Sequence, residues 1–244
     1  MVGHSMSKKR DCDRVTQSVS LGQWVKLVAV YLLVPLFLFL CGGDLGWWQA
    51  WLYSLLFLTA GVAGRMWAER RHPGLTAERQ DTENLQDAKH WDKVLAPMMA
   101  VSITYPVVIV AGLDHRFGWS PEFPLGLTLI GFILISIGYA IAAWAFAENR
   151  FFLSVVRIQT DQRHVVCDTG PYRFVRHPGY AGSICSLIGF VLFLGSVWTL
   201  VPVAVAMIIS VLRTALEDRT LKEELPGYQD YARRVRYRLI SGIY

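Results

Sequence analysis

Apolar and polar positions along this chain fall into long blocks, not the alternation of a half-buried strand or the one-sided stripe of a surface helix. Predominantly apolar runs cover residues 24–41, 47–67, 94–113 and 125–146, and a longer one covers 180–212. A helix needs roughly 20 such residues to cross the hydrocarbon of a bilayer, so each of the first four runs predicts one span. The fifth is too long for one comfortable crossing. It carries Gly195-Ser196 near its middle and Pro202 shortly after, residues of turns and helix starts, and reads as a helical hairpin. The expected fold is an all-α integral membrane protein of about six transmembrane helices, the last two forming that hairpin. Residues 1–20 make a polar tail without the apolar core of a cleavable signal peptide. Residues 21–146 hold four spans and a charged loop at 65–93, and residues 147–244 hold a long polar loop, the hairpin and a short amphipathic, basic tail.

Composition agrees. Of 244 residues 53% are apolar and only 18% charged, where a soluble domain carries about a quarter. Mean hydropathy is +0.34. These values exclude a disordered chain and fit a soluble core poorly.

The basic residues test the span count. They sit in the tail (Lys8, Lys9, Arg10, Arg14), between the second and third spans (Arg65, Arg70, Arg71, Arg79, Lys89, Lys93) and between the fourth and fifth (Arg150, Arg157, Arg163, Arg173, Arg176). A last group runs from Arg213 to Arg238. Six spans place 22 of the 24 Lys and Arg on one face, leaving Arg116 opposite and Lys26 at a helix start. Because basic loops stay inside, that face is expected to be cytoplasmic, with both termini on it. Five spans would put the basic tail outside.

A net charge of +5 and a pI near 9.1 could suggest a nucleic-acid partner. The basic residues flank apolar runs, however, and form no continuous aromatic-interleaved surface. Cys12, Cys41, Cys167 and Cys185 have no metal or redox spacing and read as ordinary thiols. Trp47, Trp48, Trp51, Trp119 and Trp198 lie near expected outer span ends and read as an interfacial belt.

The outer loops are too short to build a site, so soluble-ligand chemistry is expected on the cytoplasmic face. His72-Pro73-Gly74 and His177-Pro178-Gly179 repeat a tripeptide without a common period. The first reads as a helix-ending turn. The second lies where the polar loop enters the fifth span, with Pro178 suited to a first helical turn and His177 and Tyr180 flanking the helix start. A capped helix entrance and a ligand site explain these residues equally well. At the inner end of the sixth span Arg213 and Glu217 share one helix face. Ionisable groups at that depth are expensive and face a cavity or a partner. The neighbouring Asp218 and Arg219 add more charge than a simple helix lock needs, which favours a site.

From residue 149 onward the chain resembles the isoprenylcysteine carboxyl methyltransferase family, especially its bacterial-type members. The resemblance is carried by Asn149-Arg150-Phe151-Phe152, Val156-Arg157-Ile158-Gln159, Gly170-Pro171-Tyr172, Arg176-His177-Pro178-Gly179-Tyr180 and Gly182. It continues through Leu194-Gly195-Ser196, Arg213, Glu217, Tyr228, Tyr231 and Val235-Arg236-Tyr237-Arg238-Leu239, while the N-terminal half shares the hydrophobic layout and Trp91-Asp92-Lys93-Val94. The resemblance implies an integral membrane methyltransferase using S-adenosylmethionine without a Rossmann domain. It implies cofactor contacts from Gln159, His164, Val165, Val166, Cys167, Tyr172, His177, Pro178, Gly179, Tyr180 and Glu217, and places Arg213 toward the acceptor. The family commonly has two adjacent glutamates; here the second position is Asp218.

The expected reaction is O-methylation of a carboxylate on a lipidic or isoprenylcysteine-type acceptor dissolved in the membrane, with no metal. A carboxylate is already ionised at neutral pH and needs no general base, whereas a small thiol or a phospholipid amine must lose a proton, with His177 the candidate base. A non-catalytic membrane protein or transporter is the reading from another class. Clustering of the charges at one face, not at the midplane, favours the enzyme.

Overall fold

A computed structural model of the chain describes residues 20–80 and 86–244. The polar tail, with Cys12, Lys8, Lys9, Arg10 and Arg14, lies outside the described residues. The apolar blocks become helices: α1 (Leu21–Gly42), α2 (Trp48–Arg71), the short α3 (Leu75–Gln80), α4 (Asp92–Phe117), α5 (Leu125–Glu148), α6 (Pro178–Leu194), α7 (Leu200–Glu224) and the short α8 (Tyr228–Arg234). No strand occurs among the described residues. Helices α1, α4, α5 and α7 are long and apolar enough to cross a membrane; α6 is apolar but shorter. Their exteriors are apolar, as Leu36, Val101, Ile133 and Ile208 are each at least half exposed. Such a surface suits lipid, where each helix satisfies its own backbone.

Local sequence sets the ends. Ser20 and Gln23 form a capping box at the start of α1, the Gln23 amide donating to Ser20 Oγ at 3.3 Å and the Ser20 amide to Gln23 Oε1 at 2.8 Å. Helix α6 opens on Pro178 and stops at Gly195, whose φ of 66° only glycine adopts cheaply. The chain then reverses into α7, which is the hairpin expected from Gly195-Ser196. Asp114, buried at the end of α4, clamps this corner: it accepts from Ser120 Oγ at 2.5 Å, from the Ser120 amide at 2.8 Å and from Ser196 Oγ.

Helix α5 packs most extensively against α6, and glycines set the approach. Gly131 and Gly138 on α5 face Gly189 and Gly182 on α6. A Cβ on Gly138 would lie 2.5 Å from the Gly182 carbonyl oxygen and 2.6 Å from the Ser186 nitrogen. Small residues let membrane helices meet backbone to backbone. Gly138→Val is therefore expected to lower thermal stability by at least about 1–3 kcal/mol. Gly126→Ala, where an added Cβ meets nothing within 4 Å, should leave the unfolding midpoint unchanged. Equal midpoints for both variants in a solubilised-protein melt would contradict this packing.

Successive long helices run in opposite directions. Residues from the ends of α2 and α5, the start of α4 and α6 and the later turns of α7 meet at one end of the bundle. At the other end Asp44, Trp47, His115 and Asp114 meet. Trp47 departs from the expected belt: it is buried and stacks on the His115 imidazole at 3.9 Å, while Trp48, Trp51, Trp119 and Trp198 stay exposed. A flat ring partner and the helix ends around it outcompete the headgroup region for this indole. His72-Pro73-Gly74 is a turn, as expected, held by Glu69, whose carboxylate accepts from the Gly74 amide at 2.6 Å and the Thr76 amide at 3.1 Å.

Candidate active site

Between α5 and α6 the chain stays irregular, with single turns at Thr160–Gln162 and Gly170–Arg173. This loop lies over the start of α6 and the later turns of α7 and walls a cavity of about 190 Å³. Helix α8 closes the far side: Tyr228 and Tyr231 are buried, and the Tyr231 hydroxyl donates to the Tyr172 carbonyl at 2.7 Å. Helix α8 thus carries its tyrosines inward and its arginines outward, as an amphipathic tail should.

Most residues expected at a cofactor line this cavity: His164, Val165, Val166, Cys167, Tyr172, His177, Gly179, Tyr180 and Glu217, and Arg213, expected toward the acceptor, lines it too. Gln159 and Pro178 do not. Gln159 is wholly buried behind the wall, donating to the Phe151 carbonyl at 3.2 Å, and Pro178 is buried in the first turn of α6. Both were expected there from the family resemblance, and their side chains turn into the protein.

Arg213 and Glu217 both reach the cavity but do not pair directly. The Tyr180 hydroxyl links them, accepting from Arg213 Nη1 at 2.6 Å and donating to Glu217 Oε2 at 2.7 Å. The guanidinium fork is taken by Asp92 of α4, with Nε to Oδ1 at 2.6 Å and Nη2 to Oδ2 at 2.9 Å. Nη2 also donates to the Ser154 carbonyl at 2.9 Å, and Asp92 Oδ2 accepts from the Val156 amide at 2.6 Å. Asp92 is wholly buried, so its charge requires such a partner. The sequence offered one clue to Asp92, an acid at the head of an apolar span, which must find a cation on another helix.

Asp218 explains the extra charge differently from the sequence reading. It is fully buried and accepts from Arg176 Nε at 2.6 Å and Nη2 at 3.0 Å, Arg238 Nε at 3.0 Å and Tyr228 Oη at 3.1 Å, with Lys222 Nζ at 2.9 Å. Arg176 Nη1 continues to the Val235 and Arg236 carbonyls, each at 2.7 Å. This carboxylate ties loop, α7, α8 and C-terminal segment together, a structural lock behind the cavity. Arg219 points outward and pairs with Glu223 on the surface at 2.8 Å.

His177 lies between the two acids, Nδ1 3.9 Å from Glu217 Oε1 and Nε2 3.5 Å from Asp218 Oδ1. Its Nε2 is buried without a hydrogen-bond partner. Around it the loop groups are held uncharged. Burial, helped by the charge of Arg157, pulls His164 down to about 4, and burial pushes the Cys167 thiol and the Tyr172 hydroxyl up. None of these three changes protonation near neutrality. Glu217 is the carboxylate that remains partly open to the cavity.

The profile of the phospholipid methyltransferase family matches residues 127–226, from the start of α5 to just past α7. The resemblance is to a membrane methyltransferase family. A protein of Oryza sativa subsp. indica named "Probable protein-S-isoprenylcysteine O-methyltransferase" is 33% identical over 64 residues, 26% of this chain and 34% of that protein. A protein of the same name from Oryza sativa subsp. japonica matches to the same extent. The chain thus spans about a third of the length of these curated relatives. The matched region contains His177, Tyr180, Arg213 and Glu217, the residues that meet at the cavity.

The cavity's chemistry fits a zwitterionic sulfonium nucleoside. Aromatic rings of Phe151, Tyr172 and Tyr228 offer flat surfaces, and Glu217 offers an anion for cationic groups.

Proposed function

We propose that the chain is a membrane-embedded, S-adenosylmethionine-dependent methyltransferase that O-methylates a carboxylate on a lipidic or isoprenylcysteine-type acceptor. One observation carries the reading: Glu217, Tyr180, His177 and Tyr172 converge on one cavity at the polar end of an apolar bundle, within the family-matched region. Both termini lie on that cytoplasmic side in this reading.

His164, Val165, Val166, Cys167, Tyr172, His177, Gly179, Tyr180 and Glu217 would hold the cofactor. S-adenosylmethionine supplies an electrophilic methyl group, whose transfer to a carboxylate makes a C–O bond as the C–S bond breaks, cancelling two opposite charges. Glu217 supplies the compensating anion at the site. Tyr180 fixes its direction, and Arg213, held by Asp92, fixes Tyr180. The loop and α8 shield the cavity from water, which strengthens those electrostatic contacts. No residue here has to remove a proton, because the acceptor is already an anion.

The description of the matching family, phospholipid methyltransferase, favours a second reading in which a phospholipid amine accepts the methyl group; a small thiol acceptor would share its need to lose a proton. The rate's pH dependence separates the two. For a carboxylate acceptor, turnover is expected to be flat from about pH 6.5 to about 8.5, because carboxylates titrate near 4. His164, held near 4, adds no limb in that range. An amine or thiol must shed its proton and gives a rising limb. A steep limb that vanishes in His177→Ala would move the assignment to amine or thiol chemistry.

A further inference from the structure

A second cavity, of about 230 Å³, lies between α1, α2 and α5 and adjoins the first. Arg79, Phe152, Gly179 and Ser183 line both. Its other walls are apolar or small, with Tyr31, Phe57, Gly61, Gly64 and Ala143 along its length. Two guanidinium groups stand at its polar end. Arg65 donates from Nε to the Tyr31 hydroxyl at 2.8 Å, while its Nη1 is buried without a hydrogen-bond partner. Arg79 donates from Nη1 to the Phe152 and Leu153 carbonyls at 3.2 and 2.9 Å. Among the described residues neither has a carboxylate partner, which sets them apart from Arg213 and Arg176. Burial, with the charge of Arg65 nearby, pulls Arg79 down to about 9. Ring faces of Tyr31, Phe146 and Phe152 lie 4.9–5.9 Å from the two cations, which softens their desolvation without neutralising them.

We propose that this groove binds an amphiphilic carboxylate, its anionic head on Arg65 and Arg79 and its apolar chain along Tyr31, Phe57 and the small residues of α2 and α5. This deepens the methyltransferase reading and rests on it: the bound amphiphile is the methyl acceptor, presented to the cofactor cavity across the shared wall. The charge arithmetic favours this pair over Arg213. Asp92 already neutralises Arg213 and occupies its fork, whereas among the described residues Arg65 and Arg79 pair with no carboxylate. A carboxylate has two oxygens for two guanidiniums. Once methylated it is neutral and loses that hold, so the product leaves more readily than the substrate. Arg65 and Arg79 precede the family-matched stretch, whereas Phe152, Gly179 and Ser183 of the shared wall lie within it.

The test uses the full chain in detergent and calorimetric titration of palmitate, methyl palmitate, a dipalmitoyl phosphatidate and, separately, S-adenosylmethionine. Palmitate is expected to bind, and methyl palmitate to bind far more weakly. Arg65→Gln should weaken palmitate about 30-fold or more, the scale for losing one partner of a desolvated charge pair, and leave S-adenosylmethionine affinity unchanged. Arg65→Lys should restore part of the loss. Three results would overturn the proposal: equal binding of palmitate and its methyl ester, an Arg65→Gln variant with intact palmitate affinity, or phosphatidate that palmitate cannot displace, which would make the groove a phospholipid seat. Normal palmitate binding without any S-adenosylmethionine binding would instead overturn the methyltransferase reading and leave the anion site standing.

Discussion

Asp92→Asn is expected to destabilise the protein by about 3–5 kcal/mol, the cost of leaving a buried cation without its partner. Arg213 is 4% exposed and Asp92 fully buried, so water cannot replace the lost carboxylate. Asp92 also accepts from the Val156 amide and Arg213 donates to the Ser154 carbonyl, so the same pair holds the loop over the cavity. Arg213→Met should cost a similar amount by orphaning Asp92. The double variant Asp92→Leu/Arg213→Met removes both charges and should recover much of the stability, since apolar replacements of buried pairs are often near neutral. It should not recover activity, because Tyr180 loses the donor that fixes its hydroxyl. Stability is read from solubilised-protein melts, and additive losses in the double variant would contradict the pairing. Full activity in that variant would show the pair to be a lock and nothing more.

Glu217→Gln is expected to leave the fold intact and reduce S-adenosylmethionine affinity by about 30-fold to a few thousand-fold, equivalent to about 2–5 kcal/mol. The substitution keeps an oxygen that can accept from Tyr180 and removes only the charge. Glu217 is partly exposed to the cavity, so the neutral amide has no large burial penalty of its own. Asp218→Asn offers the contrast. Its carboxylate lies outside the cavity wall and holds Arg176 and Arg238, so that variant should lose stability first. Similar melting behaviour of the two variants would contradict the division between a ligand-facing and a structural acid.

Much of the architecture was legible because membrane helices write themselves in sequence. The long apolar blocks form helices, with Pro178 at a helix start and Gly195-Ser196 at a reversal, but of the six expected spans α1, α4, α5 and α7 alone are long and apolar enough to cross a membrane among the described residues. The convergence of Tyr180, Arg213 and Glu217 was also within reach, since ionisable groups beside an apolar span must face a partner or a cavity. What stayed hidden was pairing across elements. Asp92 and Arg213 are 121 positions apart, and no local pattern couples them. Arg176 and Asp218 are 42 apart for the same reason. Trp47 looks like any interfacial indole until the fold brings His115 beneath it. Gln159 and Pro178 stand within the motif but turn their side chains inward, a choice made by backbone geometry.

The most direct measurement of the central claim is methyl transfer by the purified full-length chain in bilayers, with S-adenosylmethionine labelled at the methyl group. Extracted lipid should carry label that mild base releases as methanol, the mark of a methyl ester, and Glu217→Gln should abolish it at low cofactor concentration. Base-stable label would assign the reaction to nitrogen or sulfur. An absence of both label and cofactor binding, with the protein folded by its melt, would contradict the account.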